Sequence, residues 1–479
     1  MFLGIDVGTS SVKAILIDDA QTILAQGHAS LTVERPHVGW SEQDPASWII
    51  ACQTAIEGIR AAAPQAWAQL KAIGVSGHMH GAVLLDATDT PLRPCILWND
   101  MRSSVECTEL EAKADFRGIG GNIVMPGFTA PKLAWVAKHE PEVFARIAKV
   151  LLPKDYVGLW LTGDHVGDMS DAAGTLWLDV ANRKWSEPLL KATGLSQDQM
   201  PRLVEGAEMA GALRGALAKE WGVGSVVVAG GAGDNAATAC GLGVTEPGAG
   251  FLSLGTSGVL FATTQKFAPN TEGAVHAFCH AVPDTWHQMG VILSATDSLN
   301  WLSEIASRPV AELAAMVPHK PAAPSDALFL PYLSGERTPH NAPFAKAGFF
   351  DLTRRTTMPD MVQAVMEGVA FAFADCKRVL EAAGTQIDHV YLAGGGSRSD
   401  AWLNIIASAT GLTLLKPADG DAGAALGAAR LGMAASQSLT HPEIFRTPKV
   451  DKAFEPETAL RDAYQERYLA YQNAYQVDN

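Results

Sequence analysis

The amino-acid sequence predicts an α/β protein of two related halves that face a central cleft. Three observations carry that expectation. One hairpin design occurs twice, strand and helix signals alternate in both halves, and 479 residues are too many for one hydrophobic core. The first hairpin is Leu3-Gly4-Ile5-Asp6-Val7-Gly8-Thr9-Ser10-Ser11-Val12-Lys13-Ala14-Ile15, two apolar runs joined by a glycine-containing turn. The second is Gly250-Phe251-Leu252-Ser253-Leu254-Gly255-Thr256-Ser257-Gly258-Val259-Leu260-Phe261. Thr9 and Thr256 stand 247 positions apart, about half the chain, which reads as a duplication.

The elements between follow one pattern. Lys71 to Gly77 reads as a strand ending in a loop, and Ser225 to Asn235 as a strand, a glycine loop and the start of a small-residue helix. Val244-Thr245-Glu246-Pro247-Gly248 punctuates the middle, so the expected domains are 1–245 and 246–479. In the second half His389 to Ser397 is a strand running into a glycine loop, Ala401 to Thr410 has helical spacing, and Asp421 to Ala429 reads as a tight-packing helix. Tyr464, Tyr468, Tyr471 and Tyr475 form one helical stripe, a packing face or a contact between two subunits. That stripe makes a homodimer plausible.

Composition narrows the partners. The net charge of −15 and pI near 5.3 argue against nucleic acid and against a polybasic membrane attachment. With 48% hydrophobic and 18% charged residues, large-scale disorder is excluded. The six cysteines are scattered without a C-x-x-C and read as reduced, buried thiols. No export segment or membrane-length apolar run is evident, so a cytoplasmic location is expected.

The hairpin turns suggest chemistry. A Gly-Thr-Ser turn presents backbone N–H groups and hydroxyls that can cradle a phosphate without a cationic side chain. Gly8, Thr9 and Ser10 form the first such turn, with Asp6 placed to hold Mg²⁺ through water. Lys13 could add charge or lie on the surface. The P-loop, the dinucleotide-binding G-x-G-x-x-G and the protein-kinase motifs are absent.

This order of elements resembles the ATPase fold shared by sugar kinases, actin and the heat-shock chaperones. Two segments narrow the resemblance to the FGGY carbohydrate kinases: Gly127-Phe128-Thr129-Ala130-Pro131-Lys132-Leu133-Ala134-Trp135-Val136, and Gly348-Phe349-Phe350-Asp351-Leu352 through Met361 to Gly368. The second departs from the family at Asp351, where glycine is usual. Within the family the chain resembles the kinases of D-xylulose, through Trp40 to Pro45, Met79-His80-Gly81, Trp98-Asn99-Asp100, Met169 to Thr175 and Leu333 to His340. The resemblance covers about residues 1–435. It implies two ribonuclease H-like, actin-like ATPase domains, sugar in the first and ATP mainly in the second, with Mg²⁺.

A sugar hydroxyl needs a proton acceptor at neutral pH, and Asp234 is the candidate. It follows a strand and a glycine loop, a position that aims a side chain into a cleft at strand carboxyl ends. The alternative is a helix cap. The resemblance implies that Asp234 is the base and, with Asp6, a metal-facing carboxylate. It implies that Asn235 binds a sugar hydroxyl and that Met79 and His80 line the sugar pocket, with His80 donating. His78 stands where relatives often have glutamine. It further implies that Gly255 and Thr256 approach the β- and γ-phosphates, and that Gly395, Gly396 and Ser399 belong to the adenosine loop, where a side chain in place of either glycine would collide with the base or ribose. Trp98, Asp100 and Arg102 form a W-x-D-x-R segment with a substrate role or a structural ion pair. His78 with His80, and His276, Cys279, His280 and His287, also invite a zinc reading, although neither set has fixed tetrahedral spacing. The rival functions are a kinase of another ketose or polyol, such as ribulose or glycerol, and a non-enzymatic sugar sensor or actin-like filament protein. A sensor would need a helix-turn-helix ahead of the first hairpin, for which the sequence leaves no room.

Overall fold

A computed structural model describes residues 1–418, 423–437 and 441–478, so Asp421 and Ala422 of the expected tight-packing helix lie outside the described residues. Each half is built on one sheet. The first sheet uses β1 (Phe2–Val7), β2 (Ser11–Ile17), β3 (Ile23–Ser30), β4 (Ala72–Gly77), β5 (Met209–Ala212), β6 (Val227–Ala229) and β7 (Ala232–Gly233). Their order is β5-β6-β4-β1-β2-β3, with β7 also on β4. The second sheet uses β8 (Gly250–Leu254), β9 (Gly258–Thr264), β10 (His276–Cys279), β11 (Trp286–Ile292), β12 (His389–Ala393), β13 (Thr413–Pro417) and β14 (Val450–Phe454).

The second order, β10-β11-β9-β8-β12-β13-β14, repeats the first with one added edge strand. In both, a hairpin is extended antiparallel on one side by β3 or β11. On the other side two parallel strands follow, closed by an antiparallel edge. The hairpins close similarly, Val7 opposite Val12 around four residues and Leu254 opposite Gly258 around three, so the first turn is one residue longer. The chain therefore has the duplicated actin-like ATPase architecture that the repeat implies.

The helices do not respect the sequence halves. α1 (Pro45–Ala62), capped by Asp44, buries Trp48, Ile56 and Ile59 on the first sheet. α2 (Thr129–His139) begins after Phe128. α3 (Asp234–Leu242) leaves the first sheet and sends Ala239 and Leu242 into a cluster with Phe251 and Phe261 of the second. α4 (Met358–Ala382) is buried along most of its length and opens with a Thr357–Asp360 capping box. α5 (Asp400–Thr410) packs beside it. α6 (Gly423–Gln437) crosses back onto the first sheet. A Cβ on Gly4 would lie 2.0 Å from the Ala425 carbonyl oxygen, and one on Gly74 would lie 1.8 Å from that of Ala428. α6 also meets α3, where a Cβ on Gly427 would lie 1.7 Å from the Ala237 oxygen. Backbone-to-backbone contact of this kind admits only glycine.

α7 (Arg461–Asp478) settles the tyrosine stripe. Tyr464, Tyr468 and Tyr471 are buried against Phe371 of α4. The Tyr471 hydroxyl lies 2.8 Å from that of Tyr332, and Tyr468 donates to Asp375 at 2.6 Å. Tyr475 stacks on His340. The stripe is consumed within the chain, so it gives no reason to expect a subunit contact. Asp351 has φ of +59°, the left-handed region in which glycine is at ease and aspartate is tolerated. That explains why this position departs from the family pattern without loss of the turn. All six cysteines are buried and free. Among the described residues no helix is long and apolar enough to cross a membrane.

Candidate active site

Asp6 and Asp234 meet in a cavity of about 280 Å³ between the halves, walled on the far side by Ser253 and Gly394. Asp6 is placed by β1, one residue before its end, and accepts from the Ser76 hydroxyl at 2.9 Å. Asp234 is the first residue of α3, and the cap position is Gly233. The capping alternative for Asp234 therefore fails. Its Oδ1 accepts from the Asn235 amide at 2.7 Å and from Asn235 Nδ2 at 2.9 Å, which orients the carboxylate. Burial and the nearby Asp6 charge push the Asp234 carboxyl up to about 6, against the pull of the Asn235 bonds. It stays mostly ionised at pH 7 yet is a stronger base than an ordinary carboxylate. Two carboxylates lining one cavity suit a hard divalent cation, so the donor set fits Mg²⁺.

Several side chains behind Asp234 are not marked as site residues by the sequence alone. Lys154 is buried and pairs with Asp155 at 2.5 Å and with Asp168 at 2.8 Å. Asp168 accepts from the Ser170 hydroxyl, whose oxygen in turn accepts from the Gly233 amide at 3.2 Å. This chain holds the residue just before Asp234. Its signal in the sequence is Pro153-Lys154-Asp155 together with Met169-Ser170-Asp171. Asp171 completes a group of three buried carboxylates with Asp155 and Asp168. Burial pushes its carboxyl well up, opposed by Lys154 and reinforced by Asp155, Asp168 and Asp234.

Met79 is buried beside the Asp234 loop. A Cβ on Gly233 would lie 2.8 Å from Met79 Cγ, and one on Gly174 would lie 2.7 Å from Met79 Cε and 2.8 Å from the His80 ring. His80 adopts φ of +73°, and its carbonyl accepts from Lys132 Nζ at 3.0 Å and from Thr129 Oγ1 at 3.1 Å. Burial, with the Lys132 charge, takes His80 down to about 3, so the ring is neutral. Its Nδ1 lies 2.6 Å from the Gly174 carbonyl oxygen, which can only accept. Nδ1 therefore carries the proton and Nε2 is a lone-pair acceptor. The expectation that His80 donates to a sugar hydroxyl is reversed: this ring can only accept from one.

His78 packs edge-on against Trp48 at 5.6 Å and is buried, so the departure from glutamine falls in the core. Among the described residues no group of metal-ligand atoms includes His78, His80, His276, Cys279, His280 or His287. The zinc readings fall with that. Trp98 is 42% exposed and donates from Nε1 to Thr9 Oγ1 at 3.0 Å, bridging to the first hairpin turn. Asp100 instead accepts from Arg102 at 2.9 and 2.7 Å, with Arg102 over Trp40 and on Glu42. Asp100 and Arg102 form the structural ion pair.

On the second half a cavity of about 1060 Å³ is lined by Gly255, Thr256, Gly395, Gly396 and Ser399, with an apolar wall that includes Leu299 and Val310. Two details differ from the expected cradle. Gly8 and Gly255 donate their amides to Ser11 and Ser257 carbonyls, closing the turns. A Cβ on Gly396 would strike Leu254 at 2.4 Å and Thr296 at 2.8 Å, so its first collision is with the protein, whereas Gly395 faces open space. Ser399 caps α5 by accepting from the Trp402 amide. Gly8, Thr9 and Ser10 stand in the turn after Asp6.

The chain matches known proteins along nearly its whole length. Residues 1–241 match the N-terminal domain of the FGGY family of carbohydrate kinases, and residues 250–436 match its C-terminal domain. The xylulose kinase of Escherichia coli K12 is 48% identical over 99% of both chains. That of Klebsiella pneumoniae is 47% identical over 95% of both. A solved xyloylose kinase structure from Brucella ovis, 55% identical, superposes with a TM-score of 0.98 over 99% of each chain. A xylulose kinase structure from Rhodospirillum rubrum, 28% identical, superposes with a TM-score of 0.92 over 99% of this chain and 98% of that one.

Proposed function

Because the chain belongs to the FGGY family of carbohydrate kinases, we propose that it transfers the γ-phosphoryl group of ATP to D-xylulose, giving D-xylulose 5-phosphate. The single observation that carries the choice of sugar is the 48% identity to a xylulose kinase over essentially the whole chain. Sugar occupies the first half around Met79, His80, Trp98 and Asn235. ATP occupies the second, its phosphates toward Gly255 and Thr256 and its adenosine along Gly395, Gly396 and Ser399, with Gly8, Thr9 and Ser10 facing the phosphates from the first.

Asp234 accepts the proton of the attacking hydroxyl as the oxygen–phosphorus bond forms and ADP leaves. Its raised pKa makes it a better acceptor than an ordinary carboxylate, and Asn235 keeps it aimed. Asp6 and Asp234 are the residues that would hold Mg²⁺, which when bound supplies neutralisation of phosphate charge. The buried chain from Lys154 through Asp168 and Ser170 to the Gly233 amide fixes the approach of Asp234. Surrounding the hydroxyl with Met79 and the opposite half keeps water, a competing acceptor, away.

A coupled ADP-release assay with ATP and a panel of D-xylulose, ribulose and glycerol tests the reading. D-xylulose is expected to have the highest kcat/KM, and a higher value for either of the others overturns the substrate.

A further inference from the structure

The far end of the sugar pocket draws on both halves. His80 packs on Phe128 with ring centroids 4.7 Å apart. Phe128 in turn meets His276 at 5.6 Å and Phe278 at 6.1 Å, residues two apart on one face of β10 in the second half. His276 reaches Arg337, whose NH1 lies 3.3 Å from His276 Nε2. The rings of Phe128, His276 and Phe278 are buried, whereas His80 and Arg337 are half-buried, so these two border open space. Met79 and Gly174 separate them from the Asp234 loop. From the Asp234 loop, Arg337 is reached in turn through Met79, His80, Phe128 and His276.

Its hydrogen-bonding role is determined by a chain of partners. Asn122 Nδ2 donates to the Gly120 and Ala277 carbonyls at 2.9 and 3.0 Å, so Asn122 Oδ1 faces His276 Nδ1, at 2.9 Å. His276 Nδ1 carries the proton and Nε2 accepts from Arg337. Neighbouring Glu336 uses Oε1 to accept the Leu293 and Arg337 amides and is pushed by burial up to about 8. Among the described residues no carboxylate pairs with the Arg337 guanidinium. The space thus offers one acceptor, His80 Nε2, and a fork of donors. That polarity fits a sugar end bearing a hydroxyl and an oxygen without a proton.

We propose that Arg337 determines specificity by donating from its guanidinium to the C2 carbonyl oxygen of the bound ketose, with His276 as the positioning residue that orients it. The inference rests on the ketose reading above and adds the residue that recognises the ketose. An alditol carries a hydroxyl in place of that carbonyl. Its extra proton would have to compete with the neighbouring hydroxyl for the acceptor His80 Nε2, which disfavours it.

The test compares kcat/KM for D-xylulose and xylitol in the full-length enzyme, Arg337→Gln and Arg337→Lys, with melting temperatures as the folding control. Loss of a charge-assisted bond is expected to lower kcat/KM for the ketose roughly 10- to 100-fold, mainly through KM. The ketose-over-alditol preference should fall at least tenfold in Arg337→Gln and at least threefold in Arg337→Lys. His276→Ala should raise KM for the ketose several-fold while kcat stays within about twofold. A preference within twofold of the wild type in a folded variant overturns the proposal, and Arg337→Lys answers alone where Arg337→Gln does not fold. Wild-type enzyme that turns over glycerol but no ketose overturns the substrate reading and this inference together. Ketose turnover with an unmoved ratio overturns this inference alone.

Discussion

Replacing Asp234 with asparagine should make the protein more stable and almost inactive. Asn keeps an oxygen where Oδ1 accepts both Asn235 bonds, so the loop is not disturbed. What disappears is a charge held near Asp6 in a partly desolvated cavity. Raising the carboxyl from its ordinary 3.8 to about 6 corresponds to about 3 kcal/mol at neutral pH. Asp234 is half-buried and solvent screens part of this, so the gain should be about 1–2 kcal/mol. For a half of this size that is roughly 3–6 °C in Tm. A carboxyl with a raised folded pKa favours the protonated fold. The wild-type cost is thus absent below about pH 4, grows between pH 4 and 6, and is full above that. Scanning calorimetry of both proteins from pH 4 to 8 should show the Tm difference opening across that window. In the same range wild-type kcat should fall below about pH 6 as the base takes up its proton. The variant should lose about 10²–10⁴ in kcat. No added stability at pH 8, or more than a tenth of wild-type kcat, refutes the reasoning.

Three further outcomes are expected. Asp6→Asn removes the charge that helps raise Asp234, so the acid limb of its residual activity should move to lower pH, and an unmoved limb in a pH–rate profile would count against the coupling. Gly427→Ala sets a Cβ 1.7 Å from the Ala237 oxygen and should cost about 4 kcal/mol or more in denaturant unfolding, whereas Gly395→Ala, facing open space, should leave stability within about 0.5 kcal/mol. Tyr468→Phe removes the bond to Asp375 and should cost about 1–2 kcal/mol without changing the mass seen by light scattering; a change of mass would place the tyrosine stripe at a subunit contact after all.

What could be read from the sequence is what lies contiguous in it. Both hairpins, the strand–loop–helix at Asp234 and the glycine loop at Gly394 are local patterns, and the duplication follows from comparing two of them. What could not be read depends on partners far away in sequence. The acceptor role of His80 is set by the Gly174 carbonyl, and the charge chain behind Asp234 joins Lys154 to Gly233 through Asp168 and Ser170. The tyrosine stripe has the same period whether it faces Phe371 or a second subunit, so periodicity alone leaves the partner open. The left-handed backbone at Asp351 is likewise invisible in a residue that can adopt several conformations.

The seating of α6 on β1 and β4 bears on how the chain is made. The strands it covers are complete by Gly77, but the helix begins at Gly423, so roughly 350 residues follow before that face can close. At synthesis rates of about 5–20 residues per second this interval is on the order of 20–70 s. Throughout it the small-residue face around Gly4 and Gly74 has no native cover while α3 and every strand of the second sheet except β14 emerge. The first half is therefore an incomplete folding unit on the ribosome, and its final packing waits on nearly the last tenth of translation.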